Sequence, residues 1–347
     1  MAVIESVGLS KTYGSKPAVV NLSFRVNPGS VTGFLGPNGA GKSTTMRLMV
    51  GLDNGSGTTT FDGMPFRRLT HPMRHVGVQL EAKPFHPTRK ARNHLRMLAG
   101  ANGIPDGRVD EVLGLVGLLS EAGHKPGKFS LGMGQRLGIA AALLGDPHTL
   151  ILDEPANGLD PQGINWLRNL LKQLASEGRS IFVSSHLLSE MALLADQLVV
   201  IGRGQLITSG PIRDFITSSA RTSVIVRTPD MSLLGPALAE RGGHAIGTDD
   251  GSFSVTGIGQ TEVGDVAHSV GARIHELRTR EATLEEAFLD ATGMAAEFVA
   301  HTPPHDAGQF GPPGAGYSGQ PPGPWQPPGP APWQPPGQDP YGPGGAR

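Results

Sequence analysis

Cysteine is absent from the 347 residues, which excludes both a disulfide framework and a thiolate metal site. A chain without thiols is compatible with a reducing compartment and does not require one. Long apolar runs are missing too. The longest candidate, Leu137 to Leu144, is cut by Gly145-Asp146-Pro147, well short of the roughly 18 residues that a membrane helix needs. The start, Met1-Ala2-Val3-Ile4-Glu5, lacks the basic-then-apolar pattern of a secretory signal. The protein is therefore expected to be soluble by itself. Charge of one sign is lacking as well. The formal net charge of −1 gives no electrostatic reason to expect a nucleic acid partner, whose binders usually show a basic face. Sustained heptads, the mark of a long coiled-coil insertion, do not occur.

What the chain does have is a glycine-rich octet. Gly36 to Ser43 reads G-P-N-G-A-G-K-S, which fits the phosphate-loop spacing G-x-x-x-x-G-K-[ST]. Gly36, Pro37, Asn38, Gly39, Ala40 and Gly41 would turn backbone N–H groups onto phosphate oxygens. Lys42 would reach the outer phosphates, Ser43 would face Mg²⁺, and Thr44 would follow on the helix. The flanks agree, because Val31, Phe34 and Leu35 form a short apolar strand ahead of the loop. Thr44 to Val50 reads as a helix whose positive N-terminal end faces the anion.

Further along, the apolar run Leu150-Ile151-Leu152 ends in Asp153-Glu154-Pro155. A buried strand ending in two acids can deliver Asp153 to Mg²⁺ and leave Glu154 to orient or deprotonate an attacking water. Two adjacent acids before a proline can equally be a solvated turn; the phosphate loop is what favours the catalytic reading.

Four further segments make the chain resemble the ATP-binding subunits of ABC transporters. Phe129-Ser130-Leu131-Gly132-Met133, followed by Gln135-Arg136-Leu137-Gly138-Ile139-Ala140, resembles the family signature L-S-G-G-Q and its helix. Ser130 and Gly132 match, while Phe129, Leu131 and Met133 depart from the consensus. The pattern is similar to the drug- and antibiotic-resistance branch of exporter type. Asp160, in Leu159-Asp160, resembles the D-loop residue and His186, after Val183-Ser184-Ser185, the H-loop histidine. Tyr13, in Lys11-Thr12-Tyr13-Gly14, occupies the place where the family stacks a ring on adenine. The glutamine loop departs: aligning Val76-Gly77 puts Glu81 at the glutamine position, as a candidate metal-side residue, with Gln79 two places early.

The resemblance implies an α/β fold of the P-loop NTPase, ABC type: an antiparallel β-layer, a parallel sheet core and a helical subdomain, with a small α+β C-terminal domain and a disordered tail. Residues 1–217 read as the ATP-binding domain, with the helical subdomain at about 85–145. Val20, Leu22, Phe24 and Val26 alternate with polar residues as in a half-buried strand. Leu95, Leu98, Val112, Leu115, Val116 and Leu119 are spaced for buried helical faces, interrupted at Gly103 to Gly107.

Residues 218–293 read as β-α-β-α-β. The strands are expected near 222–228, 253–255 and 272–277, and the helices near 233–241 and 262–270. A closing helix carries a capping box formed by Thr283 and Glu286. This domain shows no catalytic constellation; regulation, dimer support and bare stabilisation all stay open. From about 300 onward half of the 30 prolines fall in the last 47 residues, a composition that cannot bury enough apolar area to order itself.

The same resemblance implies ATP and Mg²⁺ as cofactors and a second ABC ATPase subunit as partner, in a homodimer. It also implies a separate polytopic membrane permease and a place on the cytoplasmic face of the cell membrane, peripheral through that permease. Ser130 and Gly132 would then serve the ATP of the other copy. Two alternatives stay open: a soluble ABC ATPase acting on ribosomes, though those usually carry two cassettes, and a chromosome ATPase, which would need the missing heptads. The cargo is not legible, because specificity resides in the permease.

Overall fold

In the computed structural model of the protein, residues 3–81, 85–219 and 221–293 are described. The Pro/Gly-rich tail expected from about 300 lies outside them. The chain opens with β1 (Ile4–Tyr13) and β2 (Lys16–Val26), then β3 (Ser30–Leu35) and α1 (Lys42–Met49). Next come β4 (Ser56–Phe61), β5 (Met64–Pro65), the short α2 (Pro72–His75) and β6 (Val76–Gln79). The helices α3 (Ala91–Ala101), α4 (Gly107–Leu115) and α5 (Leu131–Leu143) follow, then β7 (Thr149–Leu152) and α6 (Pro161–Ser176). β8 (Ser180–Ser185), α7 (Leu188–Leu194), β9 (Gln197–Gly202), β10 (Gln205–Pro211) and α8 (Ile212–Thr217) complete this part.

The strands form an antiparallel layer in the order β2-β1-β4-β5 and a six-stranded sheet in the order β10-β9-β3-β8-β7-β6. In the second sheet β9, β3, β8, β7 and β6 run parallel, while β10 is antiparallel to β9. Parallel strands are covered on both faces, as β7 and β8 show at every residue, so their centres, Leu150-Ile151-Leu152 and Ile181-Phe182-Val183, read as unbroken apolar runs rather than alternations. The two layers meet on three clustered rings: Phe24 of β2 stacks on Phe34 of β3 and Phe182 of β8, which are tilted against each other, with centroids 4.9 to 5.9 Å apart. Phe34 and Phe182 are wholly buried. Phe182→Ala should therefore cost about 3–5 kcal/mol of stability, read as a lowered denaturant midpoint; a change within experimental error would contradict this packing.

Several local expectations shift. The alternation in β2 slips at Asn21, which has φ +49°, so Val19 rather than Val20 is buried. Irregular register between β1 and β2 marks the same place, as a bulge requires. Leu115 and Leu119, expected in the helical core, are 48 % and 49 % exposed. The buried face of α4 is Val109, Val112 and Leu113 and continues to Val116, which leaves Leu115 to one side. The chain then turns at Gly117 with φ +72°, so Leu118 takes the inward position.

The C-terminal part contains β11 (Ser223–Arg227), α9 (Met231–Glu240), β12 (His244–Gly247) and β13 (Phe253–Thr256), followed by α10 (Gln260–Val270), β14 (Glu276–Arg280) and α11 (Leu284–Thr292). Its sheet order is β12-β13-β11-β14, all neighbours antiparallel. This is the β-α-β-β-α-β arrangement of ferredoxin-like folds. The three-strand expectation lacked β12, whose four residues are all exposed and so carry no hydrophobic signal. The strand expected at 272–277 forms at Glu276–Arg280 instead. Only Leu277 there turns to the apolar cluster of Val224, Val226, Leu234, Leu238, Val255, Val263 and Val266. The capping box of Thr283 and Glu286 is present. Helix α11, however, buries Leu284 and Phe288 in the core of the larger sheet rather than in that cluster.

Candidate functional site

Ligands of parallel α/β sheets bind beyond the C-terminal ends of the strands. Here the three neighbouring strands β3, β8 and β7 release, at one edge, the glycine-rich loop, His186 and the pair Asp153-Glu154. The loop is shaped by left-handed turns at Gly39 (φ +80°) and Gly41 (φ +103°). A side chain at Gly41 would collide with the carbonyl of Ala18, whereas the space over Gly39 is open. A cradle approached closely on one side and open on the other fits an anion bound by backbone N–H groups. Helix α1 begins directly after it with Gly41 as N-cap and has no acidic residue in its first turn, so its positive end faces the same space.

A cleft of about 390 Å³ is lined by Tyr13, Lys16, Pro17 and Ala18 on one side and by Pro37, Asn38, Gly39 and Gly41 to Thr44 on the other, with Glu154 at its edge. Lys42 is 7 % exposed, its Nζ donates to the carbonyl of Gly36 at 2.7 Å, and it lies 3.7 Å from Glu154 Oε1. Burial lowers the Lys42 pKa below the ordinary lysine value, and the charges of Glu154 and Asp153 work against that shift. The ammonium is thus poorly hydrated and attracts an incoming polyanion strongly.

Glu154 sits in the left-handed region, φ +49°, a conformation that costs energy for a side chain of this size and that the surroundings must impose. Its N–H donates to Ser184 Oγ at 2.9 Å and its carbonyl accepts from Gln135 Nε2 at 3.4 Å. Its Oε2 accepts from His186 Nδ1 at 2.8 Å and from the His186 N–H at 3.3 Å. A carboxylate only accepts in such a pair, so Nδ1 carries the proton. Ser184 Oγ in turn donates to Asp153 Oδ1, and the Asp153 N–H donates to the carbonyl of Gln79 at 2.8 Å. Asp153 is buried at the strand end.

The residues fit a metal that arrives with phosphate. Ser43 and Asp153 offer hard oxygen donors, and among the described residues no group of three or more His, Cys, Asp or Glu could hold an ion alone. Mg²⁺ is commonly held by one or two protein oxygens plus substrate phosphates. Glu81, expected on the metal side, does not join them. It is exposed and lines a different groove with Arg47, Val50, Leu52, Phe66 and Leu80. Gln79 is buried and its amide donates to the Gln135 side chain, so it ties β6 to α5.

Ser130, Gly132 and Asp160 are likewise absent from the lining of the cleft. Ser130 is the N-cap of α5, accepting from Met133 N–H at 3.2 Å. Asp160 is the N-cap of α6, accepting from Gly163 N–H at 2.9 Å. The two caps are neighbours: a side chain at Gly132 would come within 2.9 Å of the Gly158 carbonyl, and Leu131 covers Gly158. Sequence reasoning missed Ser184, Gln135, and the cleft wall from Lys16 to Ala18. The one available signal was the hydroxyl pair Ser184-Ser185 at the end of a buried strand beside the acidic one.

The family described as ABC transporter matches residues 19–157, and a domain of unknown function, DUF8746, matches residues 222–285. The ABC transporter ATP-binding protein YhcH of Bacillus subtilis is 34 % identical over 86 % of this chain and 99 % of its own length. The bacitracin transport ATP-binding protein BcrA of Bacillus licheniformis is 44 % identical over 60 % of this chain and 70 % of that protein. The lantibiotic transport ATP-binding protein SrtF of Streptococcus pyogenes is 39 % identical over 57 % and 86 %. Among solved structures, an ATP-binding subunit of an ABC transporter has a TM-score of 0.57 at 27 % identity, covering 61 % of this chain and 91 % of that one. An ATP-binding cassette bound to ADP and Pi has a TM-score of 0.56 over 60 % and 98 %; at 23 % identity it speaks for the fold alone. The near full-length correspondence with YhcH, together with the profile that spans both the phosphate loop and the β7 carboxylates, shows that this chain belongs to the ABC transporter ATP-binding proteins.

Proposed function

We propose that two copies of this chain close head to tail on ATP and drive a separate polytopic membrane permease that exports a hydrophobic solute, an antibiotic being the favoured class. The observation that carries the pairing is that Ser130, Gly132 and Asp160 stand outside the cleft that gathers Lys42, Ser43 and Glu154. A second copy could supply them. Among the described residues no helix is long and apolar enough to cross a membrane, so the path for the solute is assigned to another chain, and this one to the cytoplasmic face beside it. The relatives named for bacitracin and lantibiotic transport support an antibiotic cargo in particular, of peptide rather than small-molecule size.

In this reading the backbone of Gly39 to Lys42 and the Lys42 ammonium hold the triphosphate. Glu154 aligns the attacking water and takes its proton, and His186 fixes the carboxylate through Oε2. Ser43 and Asp153 would hold Mg²⁺, which supplies charge neutralisation on the outer phosphates. Ser130 of the twin, at the positive end of α5, completes the grip. Purification of the tagged full chain from native membranes tests the proposal: a polytopic membrane protein should come with it and alter its ATPase rate. Recovery with ribosomes or DNA, and stimulation by them instead, would overturn it.

A further inference from the structure

The Tyr13 ring, half exposed at the mouth of the cleft, is fixed by groups that no motif assigns. Its hydroxyl donates to Asp53 Oδ2 at 2.8 Å. Asp53 is gripped in turn by Arg47 Nε and Nη2 at 3.1 and 3.2 Å, and Arg47 stands in the last turn of α1, the helix that begins at the phosphate loop. The neighbouring Asn54 carbonyl accepts from Lys11 Nζ at 2.6 Å. That same ammonium lies 4.8 Å from the centroid of the Tyr13 ring, within cation–π range. The loop Asp53-Asn54 therefore holds the ring twice: by its hydroxyl edge directly, and through Lys11 by one face. The ring itself lines the cleft that holds the phosphate loop. Arg47 first, then Tyr13, keeps the Asp53 carboxyl below its ordinary range, so it stays an acceptor.

We infer that Asp53, braced by Arg47, is the positioning residue of the nucleobase platform, holding the Tyr13 ring in register with the phosphate loop so that base and triphosphate are bound as one unit. The inference rests on the reading of Tyr13 as the adenine-stacking ring. A ring that must be ordered on binding charges its rotamer freedom against affinity, and the carboxylate removes that freedom beforehand. The Arg47 link makes the platform part of the same rigid element whose first turn meets the phosphates.

The test compares steady-state hydrolysis of ATP with that of ribose 5-triphosphate, which lacks the base. Tyr13→Ala should raise KM for ATP about tenfold, the order expected for loss of a stacked base, with kcat retained. Asp53→Ala and Tyr13→Phe should each raise it about threefold, and the double variant no further, because both remove the same bond. None of these changes should move KM for the baseless triphosphate, which also serves as the folding control. Additive effects of Asp53→Ala and Tyr13→Phe, or an equal rise on the baseless substrate, would overturn the positioning role. An unchanged ATP KM in Tyr13→Ala would instead overturn the stacking reading beneath it.

Discussion

Glu154→Gln is expected to lower kcat for ATP about 100- to 10,000-fold, the range that a positioned general base contributes, while nucleotide binding survives. The substitution is nearly isosteric. It keeps an oxygen for the His186 N–H groups that meet Oε2 at 2.8 and 3.3 Å, and it leaves the backbone bonds to Ser184 and Gln135 untouched. What it removes is the charge that accepts a proton and that faces Lys42 at 3.7 Å. With turnover stopped and the lysine free to meet phosphate, ATP should persist between two protomers, and size-exclusion chromatography should show an ATP-dependent dimer. A variant that hydrolyses at the parent rate would remove Glu154 from the role of base and leave the water to be activated elsewhere.

Lys42→Ala should abolish ATP-dependent stabilisation. A ligand that binds only the folded state raises stability by about 2.7 kcal/mol at 100 times its Kd. The parent should therefore melt several degrees higher with millimolar MgATP, and the variant should not. Without nucleotide the two should melt at similar temperatures. The buried ammonium is held in place against desolvation, which lowers its pKa, and its partners are the Gly36 carbonyl and Glu154. Stability given up at a binding residue is a common trade. A variant that kept its nucleotide-induced shift would show that the loop amides alone hold the phosphates.

Much of this site was legible because its parts are local. The phosphate loop is a single octet whose glycines answer a backbone need at Gly39 and Gly41. Asp153 and Glu154 follow a strand that is apolar because both its faces are covered. The helical breaks at Gly103 and Gly117 both appear as left-handed turns, although only the first was read. What escaped was non-local. Ser184 acts across strands on Asp153 and Glu154, Gln135 reaches from α5 to the Glu154 carbonyl, and Asp53 reaches back 40 residues to Tyr13. No spacing rule links such positions. β12 escaped because an exposed edge strand shows no alternation. Glu81 was aligned by analogy with a glutamine, and the fold turns it into a groove with Arg47 instead.

The account depends on two chains sharing one nucleotide, and the absence of cysteine makes that directly measurable. Asn38→Cys on the loop and Leu131→Cys beside the signature cap, both at exposed positions, can be placed in separate copies in the Glu154→Gln background and mixed. With MgATP and a mild oxidant, a disulfide should join one copy to the other in high yield, and without nucleotide the yield should collapse. Chains that stay uncrosslinked in ATP, while still binding it, would contradict the head-to-tail engine.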